Sequence, residues 1–70
     1  MKITYDKKVD ALRIIFRETT VTTKELGEGI ALDLDEEGRL AGIEILDVMQ
    51  RFGDEDTLSK VVFEGIGTAT

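Results

Sequence analysis

Asp33, Asp35, Glu37 and Glu44 are the residues of this chain whose type and spacing could do chemistry. In a twelve-residue loop starting at Asp33 they occupy positions one, three, five and twelve. Gly38 falls at six and apolar Leu40 at eight, which is the spacing of a calcium-binding loop closed by a bidentate carboxylate. Three features count against that use. Glu at the fifth position has a longer arm than the usual Asp or Asn and would crowd the ion. The incoming segment, with Gly27 and Gly29 ahead of an alternating run, does not read as a helix. The outgoing Ile43 and Ile45 also alternate as a strand, and a paired hairpin spreads Asp33 and Glu44 along a sheet. The plainer expectation is an acidic, solvated face around a turn, with no metal.

Paired carboxylates can also serve as general acid and base. Asp33, Asp35 and Glu44 share a face by alternation and form the only such cluster. A 70-residue sheet offers little depth to desolvate them, and desolvation is what would tune their pKa values. Ser59 is the only serine, and the chain has no His to activate it. The glycines form no phosphate-cradling pattern. No enzymatic activity and no cofactor are expected.

A chain of 70 residues makes one domain that buries only about 60% of its unfolded surface. Disulfides, a metal or oligomerisation usually support such small domains. With no Cys and no His, thiolate and imidazole chemistry are excluded and disulfides with them. Oligomerisation is the favoured remedy. No apolar run approaches the roughly 20 residues of a membrane span, and the alternating start does not read as a signal peptide. A cytoplasmic location is the expectation. The net charge is −6, divided into +3 over residues 1–24 and −9 over residues 25–70. Such a surface repels phosphates, so no nucleic-acid partner is expected, whereas a small basic protein is a natural one.

The elements that must position the carboxylates follow from periodicity. Ile3 and Tyr5 mark a short opening strand, and residues 6–10 a turn. A longer strand spans residues 11–17, with Leu12, Ile14 and Phe16 on one face and Arg13, Ile15 and Arg17 on the other. Ile15 on the charged face marks a second covered surface and a candidate oligomer interface. Residues 21–26 read as an edge strand, followed by a bulge or tight bend at residues 27–29. Ile30, Leu32 and Leu34 alternate toward a turn at residues 36–38, and the return strand runs over residues 39–45. The register that places Ile30, Leu32 and Leu34 beside Ala41, Ile43 and Ile45 makes one continuous apolar face. Asp47 reads as the N-cap of a helix over residues 48–52 that ends at Gly53. Residues 54–57 read as a solvated acidic connection and residues 65–70 as a fraying end. Between them Val61 and Phe63 alternate as in a strand over residues 60–64, while Leu58, Val61 and Val62 are spaced as in a helix; the strand is the expectation.

Taken in order, Tyr5-Asp6, Asp10-Ala11-Leu12, Leu32-Asp33-Leu34-Asp35 with Gly38, and Gly42-Ile43-Glu44-Ile45-Leu46 before a short helix resemble the small prokaryotic family catalogued as domain of unknown function 2283. The resemblance covers about residues 1–52 and leaves an acidic extension over residues 53–70. It implies a compact antiparallel sheet with one helix and brings no activity. The expected fold is therefore α+β: a small antiparallel meander of about five to six short strands with one short helix. The expected role is protein–protein interaction without catalysis, as a homodimer, as the acidic partner of a small basic protein, or both. The alternative is a calcium-binding or hydrolytic carboxylate site around residues 33–44.

Overall fold

The computed structural model describes residues 1–54, 56–62 and 64–65. Five strands form one antiparallel sheet: β1 (Lys2–Asp6), β2 (Ala11–Ile15), β3 (Thr22–Gly27), β4 (Ile30–Leu34) and β5 (Leu40–Ile45). Two short helices follow, α1 (Val48–Phe52) and α2 (Asp56–Ser59). The α+β class and the antiparallel sheet are as expected. The strand order, β1-β2-β5-β4-β3, departs from a meander, because β5 returns between β2 and β4. Residues 16–21 therefore cross three strand spacings, about 14 Å, which six residues span with length to spare. The crossing is tied down early. Phe16 and Arg17 both donate their backbone N–H to the Ala41 carbonyl, at 2.8 and 3.3 Å, and the Arg17 guanidinium pairs with Asp35.

The two tight turns of the β3–β5 hairpins hold the register. Glu28 and Gly29 have φ of 56° and 80°, the two-residue turn whose twist suits a hairpin, and a bulge precedes it at Leu26. Gly38, at φ 80°, takes the left-handed position of the second turn, where a side chain would be strained. Ile30 pairs with Ile45 and Leu32 with Ile43, as the apolar pattern requires. Leu34 instead pairs with Leu40, so Ala41 is the extra residue of a bulge and leaves the apolar row.

α1 lies where the β1–β2 turn meets the end of β5, with Val48 buried and Gly53 closing the helix by donating its N–H to Met49 O at 2.8 Å. Its N-terminus corrects the expected cap. Asp47 adopts a left-handed conformation (φ 55°) and makes no side-chain capping bond. Asp10, 39 residues before Met49, does that work. Its carboxylate accepts the Met49 N–H at 3.2 Å and the Tyr5 hydroxyl at 2.6 Å, while its carbonyl accepts the Val48 N–H at 3.2 Å. The strand expected over residues 60–64 is also corrected. The acidic connection opens α2, with Asp54 accepting the Asp56 N–H at 2.9 Å, and residues 60–62 and 64 belong to no strand. Leu58, Val61 and Val62 have both helical and alternating neighbours, and the helical spacing wins at Leu58. Phe63, and residues 66–70 of the expected fraying end, lie outside the described residues.

The sheet has two unlike faces. Ile3, Tyr5, Leu12, Ile14, Ile30, Leu32, Leu34, Leu40, Ile43 and Ile45 share one, in register across β1, β2, β5 and β4. Among the described strand residues, Lys24 on edge strand β3 is its one charge. Thr4, Arg13, Ile15, Thr23, Glu25, Asp33, Gly42 and Glu44 share the other. Among the described residues, the buried apolar side chains are Leu12, Ala41 and Val48.

Replacing the two candidate caps by Gly separates their roles, since Gly tolerates the left-handed backbone at both positions. Asp10→Gly should lower unfolding free energy by about 1–3 kcal/mol through its lost hydrogen bonds. Asp47→Gly should leave it unchanged or higher. Urea denaturation of both variants checks the ranking.

Candidate functional site

The pairing of β4 with β5 brings two carboxylates together at the middle of the polar face. Asp33 stands opposite Gly42, and Glu44 stands opposite Ala31. The four positions form a checkerboard in which the carboxylates occupy one diagonal and the small residues the other. Diagonal neighbours in a sheet are within reach when their side chains are long, and Gly42 and Ala31 leave the room for them to lean together. The outer strands complete the row. Thr23 of β3 pairs with Asp33, and Arg13 of β2 pairs with Glu44.

Asp33 is 2% exposed and is the buried charged residue among those described. Its Oδ1 accepts the Thr23 hydroxyl at 2.8 Å. Its Oδ2 has the Arg13 guanidinium at 3.6 Å, too long for a hydrogen bond, and no other fixed donor in reach. Burial pushes the Asp33 pKa up, but Glu44, Thr23 and Arg13 together bring it below the ordinary carboxylate value. Glu44 moves the other way. The hydrogen bond that its protonated form can give Asp33, burial and the Asp33 charge raise its pKa, with Arg13 opposing.

The remaining sequence candidates do not join this pair. Asp35 leaves the strand alternation to close the β4–β5 turn, its Oδ1 accepting the backbone N–H of Glu37 at 2.9 Å and of Arg39 at 2.8 Å. Those bonds, chiefly the one from Arg39, and the Arg17 guanidinium hold its pKa low against the effect of burial. Glu37 is exposed on the same turn, 3.4 Å from Arg39. The spacing of a calcium loop thus folds as a hairpin. Among the described residues no group of three or more acidic, His or Cys side chains is placed to hold a metal ion. Ile15 is half-buried on the polar face, bordering a shallow concavity with Arg13, Asp33 and Ala41. Thr23 and Gly42 complete the site; the expected β4–β5 register already sets Gly42 on the face of Asp33, whereas it leaves Thr23 unlinked to it. The signal for Thr23 is positional and appears only once the β3–β4 register is known.

A single-layer antiparallel sheet with a two-helix tail and a central carboxyl pair defines a small α+β protein class. Within it, residues 2–48 match the model of a family described as a protein of unknown function (DUF2283), and the chain belongs to that family. No curated protein and no solved structure matches the chain. Among the described residues, no helix is long and apolar enough to cross a membrane.

The checkerboard depends on the missing side chain at position 42. A Cβ there would stand 2.8 Å from the Ile14 carbonyl oxygen and 3.2 Å from Asp33 Oδ2. The first contact is with backbone and cannot swing away. Gly42→Ala should therefore cost about 1–3 kcal/mol by overpacking, measured by chemical denaturation.

Proposed function

We propose that this protein is a non-catalytic, cytoplasmic interaction module that works as a homodimer, two sheets meeting through their apolar faces. The observation carrying this reading is that this face is only partly covered among the described residues. Ile14, Ile30, Leu32, Leu34, Ile43 and Ile45 are only half-buried, and Ile3 and Leu40 are 40% and 45% exposed. The shape agrees. The radius of gyration is 13.4 Å, against about 11 Å for a compact chain of this length. The principal dimensions of 34 × 33 × 17 Å describe one layer. Exposed apolar surface of this extent is rare on monomers.

A second copy is the occupant that fits. The face is pleated, nearly uncharged and chemically uniform, so it is complementary to itself about a two-fold axis, the commonest closure. Two such faces pack about 10 Å apart as a sandwich. The expected marker of the interface, Ile15, is on the opposite face and already touches its own concavity. The structural support accordingly favours the face of Ile14. In this arrangement the polar face, with Asp6, Glu25 and Glu44, remains free, and its acidity suits a small basic protein as a further partner.

Sedimentation equilibrium tests the reading. The expected mass is twice the 7.8 kDa chain mass at micromolar concentration. Paired Ile3→Lys and Leu40→Lys changes should return it to the chain mass with the sheet signature in circular dichroism retained. Val9→Lys, at an exposed site away from the strands, should not. A single 7.8 kDa species across the concentration range overturns the proposal.

A further inference from the structure

We propose that Asp33 and Glu44 hold one proton between them, with the Glu44 carboxyl O–H donating to Asp33 Oδ2, and that loss of this proton opens the centre of the polar face. Geometry carries the inference. Asp33 is buried, Thr23 satisfies Oδ1, and Oδ2 lies over Gly42 with no fixed donor in reach. A buried acceptor without a donor is costly. The group on the adjoining diagonal position is a second carboxyl, which donates only when protonated. Two ionised carboxylates so placed would repel, and one shared proton removes both penalties at once, as in other carboxyl pairs.

The surroundings do not supply enough positive charge to ionise both. From β2, Arg13 faces the pair and approaches Asp33 Oδ2 at 3.6 Å. From β3 come neutral Thr23 and acidic Glu25, the latter across Ala31 from Glu44. Lys2 and Asp6 of β1 are on the same face, Lys2 with Ile15 between it and Gly42. Asp6 and the exposed Lys7 and Lys8 of the β1–β2 turn border the concavity on one side of Glu44, and exposed Glu28 the one on its other side, while Arg13 is the cation that lowers the Glu44 pKa. Residues 16–21 contribute Arg17, which is engaged by Asp35, and exposed Glu18. Arg13 thus offsets one negative charge and leaves the other to the proton. On release the proton passes to solvent. The Glu44 carboxylate, repelled by Asp33, turns toward its cross-strand partner Arg13 and uncovers the notch over Ala31 and Gly42.

The opposed shifts, Asp33 down and Glu44 up, fit a proton that resides on Glu44. Their signs give the pH dependence. The raised Glu44 contributes stability that is complete below its ordinary value of 4.5 and disappears as pH rises through its folded value. The depressed Asp33 contributes stability that is present above 3.8 and disappears as pH falls through its folded value. The pair therefore favours the fold most in mild acid and weakens it toward neutrality.

Carbon-13 titration of the side-chain carboxyls in the full chain tests the proposal. The Asp33 and Glu44 carboxyl carbons should report a common inflection above 4.5, the behaviour of a coupled pair, and Asp33→Asn should bring Glu44 down toward its ordinary value, burial alone still holding it up. Glu44→Gln places an amide donor where the carboxyl O–H stood. Its Tm should exceed that of the unaltered chain near neutral pH, with the gap closing toward about pH 4. Glu44 titrating at its ordinary value, or Glu44→Gln lowering Tm at neutral pH, overturns the proposal. Should Asp33→Asn fail to fold, the titration of the unaltered chain decides alone.

Discussion

A one-layer sheet has two faces to shield, and among the described residues after β5 the one buried side chain is Val48, from a five-residue helix. That shortage governs the rest of the structure. Conformational entropy is lost along every strand, while apolar burial is the main compensation. Near-complete apolar burial here is confined to Leu12, Ala41 and Val48 among the described residues. The chain responds differently on its two sides. One face stays apolar and uniform, suited to a second copy of itself. The other is closed by short polar contacts made within the sheet.

β5 is where the two solutions meet. Placed between β2 and β4, it is paired along both edges, and its residues set the face of every neighbour. Ile43 and Ile45 continue the apolar rows from Ile14 and Leu12 to Leu32 and Ile30, while Gly42 and Glu44 build the carboxyl checkerboard. A one-residue slip of β4 against β5 would carry Asp33 into the apolar face and Leu32 out of it. An ionised group among apolar side chains costs far more than a misplaced methyl. The buried Asp33 thus penalises wrong registers, a role in specificity that polar groups in cores can take. The Ala41 bulge serves the same end by directing its carbonyl to both Phe16 and Arg17, where the chain leaves for the crossing.

Much of this was legible in the residues. Period-two alternation marks β1, β2, β4 and β5, Thr-rich composition marks β3, and the pairing of Ile30 and Leu32 with Ile45 and Ile43 follows from keeping one face apolar. Asp33 and Glu44 share a face by the same counting. The bulge was not legible, because Ala41 and Gly42 are both small and either could be the extra residue. Nor was the crossing, since no side chain in residues 16–21 declares which strand lies beyond it. Asp35 continues the alternation of Asp33, and only its bonds to the N–H groups of Glu37 and Arg39 show that it belongs to the turn. The cap on α1 comes from Asp10, too distant in sequence for any local capping signature, while the adjacent Asp47 has the right residue type and the wrong backbone. The features that escaped are those that depend on contacts between distant segments.

Dependence of this thin sheet on a second copy is the central claim, and the concentration dependence of its thermal unfolding addresses it most directly. A partner that binds only the folded chain stabilises it by mass action, so Tm should climb steadily over roughly a hundredfold rise in protein concentration. A Tm that stays constant across that range would contradict the account, because it would show that one layer of five short strands is stable alone.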